Sequence, residues 1–257
     1  MGTGLTLDQP VYFDRLAEIE ATHWWARGMW RLTSLWLDEA LQGRRGLRVL
    51  DVGCGTGWVL SRFRQRGEVA WAIGVDPSPV ALARARRYGE GGLARGDARS
   101  LPFADRSFDM VTCFDVLQHL DAGGDRQALR ELRRVLRPGG LALIRANGRG
   151  WARGHGERAA PYRLRDLTRM LEDSGLAVRR ATYANCLPAL AQELRGRLRP
   201  SSGHRSHPAG GGLQIWMPPP WWNRLMGAVA TAEAMAAGRW GVRLPFGHST
   251  LVLAGRE

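Results

Sequence analysis

An apolar run that ends in closely spaced glycines constrains this chain more than any other feature. Leu47-Arg48-Val49-Leu50-Asp51-Val52 reads as a strand, Gly53-Cys54-Gly55-Thr56-Gly57 follows at once, and a helical stretch begins near Trp58. A passage from strand through tight loop to helix belongs to α/β folds with parallel sheets. Gly53, Gly55 and Gly57 permit backbone angles that other residues avoid. Lacking Cβ, they also let a ligand lie against the chain, close to the amide donors of the next helix. The loop reads as a nucleotide-cofactor cradle. A plain turn is the alternative, and the residues downstream bear on that choice.

Ala70-Trp71-Ala72-Ile73-Gly74-Val75-Asp76 is a second short apolar strand, and it ends in an acid 19 residues after Gly57. In an open α/β sheet the ligand sits beyond the carboxyl ends of the strands, so a carboxylate there faces the vicinal hydroxyls of a nucleoside. Asp76 also precedes Pro77 and a helix from Ser78, where an acid can act as a cap. The two roles are compatible. Further helices are expected at 58–66, 77–88, 125–136 and 164–174, alternating with strands near 48–52, 70–76, 93–95, 108–114 and 141–145. Such alternation implies a parallel sheet. Gly175 stops the last of these helices, Leu176 to Thr182 reads as a sixth strand, and Ser249 to Ala254 as a seventh.

Three more stretches complete a recognisable order. They are Gly96-Asp97-Ala98-Arg99-Ser100-Leu101-Pro102-Phe103, then Phe108-Asp109-Met110-Val111-Thr112-Cys113-Phe114-Asp115 with Val116-Leu117-Gln118-His119, then Leu136-Arg137-Pro138-Gly139-Gly140 before the strand Leu141 to Arg145. Over residues 46–148 this order resembles the class I S-adenosylmethionine-dependent methyltransferases. The GxGxG spacing of the loop differs from the GxGxxG of nicotinamide enzymes. The flanks Glu20-Ala21-Thr22-His23-Trp24-Trp25, Pro218-Pro219-Pro220 and Leu244-Pro245-Phe246-Gly247 are similar to a bacterial methyltransferase subgroup whose substrates are mostly unassigned.

The resemblance implies a Rossmann-like, doubly wound α/β sheet of seven strands in the order 3-2-1-4-5-7-6. The seventh strand would run antiparallel between the fifth and sixth, with N-terminal helices and a helical insertion between strands 6 and 7. The chain then divides into an N-terminal helical lid (1–45), a cofactor-binding core (46–183), an insertion or cap (184–248) and a last strand (249–257), all in a single domain. The implied cofactor is S-adenosylmethionine, with S-adenosylhomocysteine as product and no metal. By resemblance, Gly53, Cys54, Gly55 and Gly57 surround its methionine and ribose portions, Asp51 stands near its amino group, and Asp76 binds the ribose hydroxyls. Pro77 and Ser78 wall the adenine, Asp97 accepts from its exocyclic amine, and the Ala98 backbone approaches a ring nitrogen. Phe114 and Asp115 lie beside the methionyl part and open toward the acceptor.

Methyl transfer from a sulfonium is an in-line displacement, so positioning supplies much of the acceleration and a base is needed only for a poorly ionised acceptor. His119, one helical turn past the fourth strand, is the first candidate base, with a structural role as its alternative. Many relatives carry a glutamate before this histidine, where Gln118 stands here. His23 is the second candidate. It shares a helical face with Tyr12, Leu16 and Ile19 within a segment read as helical over 8–42. The turn at His23 and Trp25 is a candidate lid, and Tyr12, Tyr183 and Trp222 are candidates to shape the acceptor pocket, although core packing would also explain them.

Composition bounds the rest. A chain of 257 residues can bury one substantial core. It has no apolar run of about 18 residues and no leader pattern, so a cytoplasmic protein without a membrane span is expected. Cys54, Cys113 and Cys186 are odd in number and form no CxxC pair, which suggests reduced thiols. His204 and His207 lack a third ligand nearby, and Ser201 to Gly212, poor in apolar side chains, is expected to be flexible. The net charge of +13 comes with 37 basic residues, all arginine. It is compatible with a nucleic-acid or other acidic partner, but genome-wide bias explains the choice of arginine. A small-molecule acceptor, such as a secondary metabolite, lipid precursor or sugar methylated at oxygen, nitrogen or carbon, is therefore preferred. An RNA methyltransferase and a non-catalytic cofactor-binding partner protein are the alternatives. The oligomeric state does not follow from the sequence.

Overall fold

The computed structural model describes residues 10–88, 92–148, 162–198 and 217–257. Two helices, α1 (Pro10–Thr22) and α2 (Trp24–Ala40), precede the sheet. Then follow β1 (Leu47–Val52), α3 (Trp58–Arg64), β2 (Val69–Asp76), α4 (Pro79–Ala85), β3 (Leu93–Arg95), β4 (Phe108–Phe114), α5 (Gly124–Val135) and β5 (Leu136–Asn147). The last elements are α6 (Leu164–Asp173), β6 (Ala177–Ala184), α7 (Cys186–Leu198), α8 (Pro220–Gly238) and β7 (Ser249–Gly255). The seven strands lie in the order β3-β2-β1-β4-β5-β7-β6. Strands β1 to β5 pair in parallel, and β7 is antiparallel to both β5 and β6, as the resemblance implied.

Period-two alternation divides the core between the two faces of the sheet. Leu50, Val111, Ala142, Ile144 and Val252 pack with α5 and α6. Val49, Met110, Leu141, Leu143, Leu251 and Leu253 pack with α2, α3 and α8. Every residue of β7 is buried, which suits a strand with neighbours on both sides. Helix α8 lies against α2 through small residues: a Cβ on Gly28 would fall 2.5 Å from the Cβ of Ala230, and one on Gly238 2.7 Å from Leu35. The Trp36 indole N–H donates to the Ala237 carbonyl across the same contact, at 3.3 Å.

Three boundaries differ from expectation, each for a local reason. The N-terminal helical segment is broken at His23, whose extended backbone ends α1 and whose Nδ1 accepts the Trp25 N–H at 3.2 Å, making it the N-cap of α2. The helix expected from 77 starts at Pro79 because Ser78 caps it, accepting the Ala81 N–H at 3.2 Å, and it tightens into a 3₁₀ turn over Arg86–Tyr88. Strand β5 starts at Leu136, not Leu141. Leu136 pairs with Phe108, and the chain slips register before Leu141 pairs with Met110. Ser201 to Gly212, with His204 and His207, lies outside the described residues.

Gly57 caps α3 with φ +82°, and a Cβ there would lie 2.8 Å from the Cβ of Ala85. Gly57→Ala adds a left-handed backbone penalty to that contact, so it should destabilise the fold by about 2 kcal/mol. A urea midpoint equal to wild type would show that the loop accommodates the methyl group.

Candidate functional site

The glycine loop is fixed to β2 by backbone bonds. The Gly53 and Cys54 amides both donate to the Val75 carbonyl, at 2.8 and 3.1 Å, and the Gly57 amide donates to the Cys54 carbonyl at 2.8 Å. Gly53, Gly55 and Gly57 have φ values of 72°, 51° and 82°, the left-handed region that favours glycine. A Cβ on Gly53 would strike Val116 at 2.2 Å, so the turn after β4 abuts the loop. A Cβ on Gly55 would instead meet its first neighbour, Leu16 of α1, only at 3.9 Å. A Cβ on Gly55 would therefore sit in ordinary contact with α1, without the clash found at Gly53.

Asp76, at the end of β2, is buried and ties this loop to the next helix: Oδ2 accepts the Gly55 N–H at 3.0 Å and Oδ1 the Ser78 N–H at 2.9 Å. A carboxylate has about four lone-pair positions, so each oxygen retains acceptor capacity. Burial raises its pKa, and the two amide bonds act against that rise. Asp51 is buried beneath the loop, where it accepts the Thr112 hydroxyl at 2.7 Å. Desolvation raises its pKa to about 7, against the Thr112 bond and Arg145, with Asp76 adding to the rise. Glu20 reaches in from α1 and accepts the hydroxyl of Thr56 in the glycine loop. The residue is partly exposed, yet its carboxyl is crowded by protein, and desolvation raises it to about 7, opposed by Thr56 and Arg145 and reinforced by Asp51 and Asp115.

Asp115 follows β4 with φ +58°, a left-handed conformation uncommon for a residue with a side chain. Its Oδ2 accepts from Arg145 Nε at 2.8 Å and from a terminal nitrogen at 2.6 Å. The Arg145 guanidinium also lies 5.0 Å from the Trp25 ring centroid and 4.8 Å from that of Phe114. Trp25 in turn donates to the Ser249 hydroxyl at 3.4 Å. The ends of β4, β5 and β7 are thereby joined to the first turn of α2.

Residues 50–144 match the family described as Methyltransferase domain. A malonyl-[acyl-carrier protein] O-methyltransferase from Erwinia pyrifoliae is 44% identical over 109 residues, covering 42% of this chain and 40% of that protein. The chain spans about two-fifths to three-fifths of the length of the curated relatives it matches. A chain from the complex between the Haloferax volcanii Trm112 methyltransferase activator and a methyltransferase superposes with TM-score 0.59 at 19% identity, covering 96% of each chain. The [4+2]-cyclase SpnF gives 0.55 at 23% identity over 88% of this chain and 80% of its own. At such identities the two structures establish the fold alone. The matched family covers β1 to β5, where the glycine loop, Asp76 and Asp115 stand. Residues 50–144 are thus a class I S-adenosylmethionine-dependent methyltransferase domain.

Within this domain, Asp51, Gly53, Cys54, Gly55, Gly57, Asp76, Pro77 and Ser78 lie together at the ends of β1 and β2, with Phe114 and Asp115 beside them at the end of β4. Cys54 is buried, and only glycine at position 74 leaves room for it, since a Cβ there would lie 2.7 Å from its Sγ. Burial, with Asp51 and Asp76, pushes the Cys54 thiol pKa up. Asp97 is engaged by Arg99, which donates to it from Nε at 3.0 Å and from a terminal nitrogen at 2.6 Å, holding its carboxyl below the usual range. Arg99 also bridges to Asp121 at 2.9 Å, while Ala98 between them is buried. His119 is exposed, although the protein around its ring lowers the imidazole pKa, with Asp115 acting the other way.

Tyr12 is buried near the acids, and desolvation, then Glu20, Asp115 and Asp76, push its phenol up to about 12. Tyr183 uses its hydroxyl to accept the Leu164 N–H at 2.9 Å, which starts α6. Trp222 lies on the exposed first turn of α8, edge-on to Trp221. Sequence reasoning did not single out Glu20, Thr56, Thr112 or Arg145 as site residues. Nor did it find Asn223, which accepts the Trp24 N–H at 2.9 Å and donates to the Thr22 carbonyl at 2.8 Å, closing the break between α1 and α2.

A buried acid with a raised pKa favours the folded state at low pH, because the fold holds the proton more tightly than the unfolded chain does. For Asp51 that stability is fully present below about 3.8 and is lost as pH rises through about 7. Asp51→Asn keeps an acceptor for Thr112 and removes the titration. Urea midpoints at pH 5, 6, 7 and 8 should fall less steeply in this variant than in wild type, and equal slopes would exclude Asp51 as their source.

Proposed function

We propose that this chain transfers the methyl group of S-adenosylmethionine to an oxygen, nitrogen or carbon atom of a small-molecule acceptor, such as a secondary metabolite, lipid precursor or sugar, in the cytoplasm. The observation that carries the reading is Asp76, a buried carboxylate with spare acceptor capacity at the end of β2, bonded to the Gly55 amide of the glycine loop. That donor and acceptor set fits the cofactor. The Asp76 oxygens accept from vicinal ribose hydroxyls, and Gly53, Cys54, Gly55 and Gly57 leave their backbone accessible to the ribose and methionine portions. Asp51 stands near the amino group, Pro77 and Ser78 wall the adenine, and Asp97 and the Ala98 backbone address its edge. When bound, S-adenosylmethionine supplies a methyl group on a positively charged sulfur.

The residues at the ends of β4 and β5 then handle the acceptor. Phe114 and Asp115 border the methionyl side, and Arg145 fixes the Asp115 rotamer. Trp25 and Tyr12 exclude water as parts of a lid built on α1 and α2. The imidazole of His119, held largely neutral near pH 7 by its lowered pKa, can take a proton from an acceptor that is poorly ionised. Nδ1 of His23 is already engaged by the Trp25 amide, which ranks His23 below His119 as a base. An oxygen acceptor has a parallel in the relative named for O-methylation of malonyl-[acyl-carrier protein].

Calorimetry with S-adenosylmethionine and S-adenosylhomocysteine tests the reading directly. Asp76→Ala should weaken binding by about 1.5–3 kcal/mol, because two hydroxyls lose a charged acceptor. Unchanged affinity in a folded variant would remove Asp76 from the site. Acceptor discovery in extract with labelled cofactor then allows a second measurement. His119→Ala should lower kcat at least ~100-fold while leaving cofactor affinity near wild type. Full turnover across pH 6 to 9 with chemistry rate-limiting would assign the step to proximity alone.

A further inference from the structure

Both helices of the segment between β6 and β7 turn apolar side chains outward. On α7, Leu187, Leu190 and Leu194 are exposed at i, i+3 and i+7, which puts them on one face. On α8 the exposed residues Trp221, Leu225, Ala228 and Ala232 recur at i, i+4, i+7 and i+11. They form one stripe, opposite the buried face of Ala230, Ala234 and Ala237. A helix that is apolar all round is normally covered all round, yet Trp221 is 64% exposed. Trp222 joins it in the first turn, and Trp240, 71% exposed, follows the last. The two helices are tied together, because the Cys186 and Leu187 amides at the start of α7 donate to the Glu233 carboxylate of α8, at 2.9 and 2.7 Å. Helix α8 begins beside the break between α1 and α2, which Asn223 closes, and α7 leaves the carboxyl end of β6. Both stripes therefore start on the side of the sheet that carries the glycine loop. Their rim is cationic. Arg224 borders the α8 stripe, Arg239 ends it and Arg243 follows, while Arg27 and Arg31 are exposed on α2, the helix on which α8 lies. Among the described residues, none of these arginine side chains has an ion pair or a hydrogen bond.

We propose that α7 and α8 dock this chain on the surface of an anionic lipid bilayer. Trp221, Trp222, Leu225 and the leucines of α7 enter the boundary between headgroups and acyl chains, and the arginines of the rim meet the phosphates. Charge complementarity selects this occupant. A chain of net charge +13 is drawn to a leaflet of negative surface potential, and each arginine near that surface adds to the attraction. A second copy of the chain matches less well, because a two-fold contact brings the same arginine rim against itself. Indoles suit the depth, since an apolar ring with one N–H donor is at home at the level of the headgroups. Among the described residues no helix is long and apolar enough to cross a membrane. Helices α7 and α8 instead lie along the protein surface with their apolar stripes outward, as helices that rest in the interface do. The docking goes beyond the proposed methyl transfer and does not depend on it.

Cosedimentation of the intact chain with sucrose-loaded vesicles tests the proposal, using phosphatidylcholine alone and a mixture with about 30% phosphatidylglycerol. Wild type should bind the mixed vesicles at least about tenfold more tightly than phosphatidylcholine, and raising NaCl from about 0.1 to about 0.5 M should weaken that binding several-fold. Trp221→Ser combined with Leu225→Ser should lower affinity for the mixed vesicles about tenfold, and Arg224→Gln about fivefold. These side chains are exposed, so the urea midpoints of the variants should match wild type. No binding to the mixed vesicles overturns the proposal, as does equal binding to both kinds of vesicle or equal affinity in the Trp221→Ser, Leu225→Ser variant. A stable dimer in sedimentation equilibrium that the same two substitutions dissociate would assign the face to a second copy of the chain instead. The vesicles are titrated without S-adenosylmethionine, so this result stands apart from that of the cofactor calorimetry.

Discussion

The upper edge of this molecule depends on β7 lying antiparallel between β5 and β6. At that edge Ser249 is in register with both Asn147 and Ala184, so the ends of three strands meet at one place. A strand inserted there obliges the chain after β6 to leave and return at the same edge, the carboxyl end of the parallel strands, where ligands of open α/β sheets bind. The consequence is geometric. Helix α8, from the segment between β6 and β7, lies on α2, with Gly28 making room for the Ala230 methyl group. Asn223 near the start of α8 then fixes the break between α1 and α2. Through that contact, the last strand determines where α1 covers the glycine loop.

Arg145 has the corresponding role in the electrostatics. It leaves β5 two residues before that edge, pairs with Asp115 and lies beside the rings of Trp25 and Phe114. A planar guanidinium suits this position because it donates from fixed directions while its faces meet aromatic rings, which a lysine ammonium does not do. Asp115 combines this pair with a left-handed backbone, a conformation uncommon for a residue with a side chain. Desolvation raises the pKa of Asp51 and of Glu20 to about 7, and Arg145 acts against that rise at both.

Much of this was legible in the chain, and unevenly so. Strands β1, β2, β4 and β7 are apolar runs bounded by glycine or acid, and local pattern suffices to place them. The glycine loop and Asp76 announce themselves by spacing. The break at His23 was not legible, because Tyr12, Leu16 and Ile19 continue a helical period up to it and the cap depends on a side-chain bond that periodicity does not encode. Glu20 and Arg145 were read only as parts of a helix and a strand. Their roles come from partners 36 and 30 residues away in the chain, and no local pattern carries that information. Asp97 shows the same limit from the other side: the resemblance assigned its carboxylate to the adenine, and the sequence did not reveal that Arg99, two residues on, engages it.

The fold by itself says little about which reaction is run. A [4+2]-cyclase shares this architecture over 88% of the chain, so a methyltransferase sheet can carry chemistry of another class. What narrows the reading here is the combination of Asp76 bonded into the glycine loop with Asp51 buried beneath it. A scaffold retained only for shape has no need of such acids, because burying carboxylates is costly even where each has a hydrogen-bond partner. Replacement by neutral side chains would be the less costly course. The position of these acids beside the glycine loop, at the carboxyl ends of the parallel strands, supports the proposal of a ligand there.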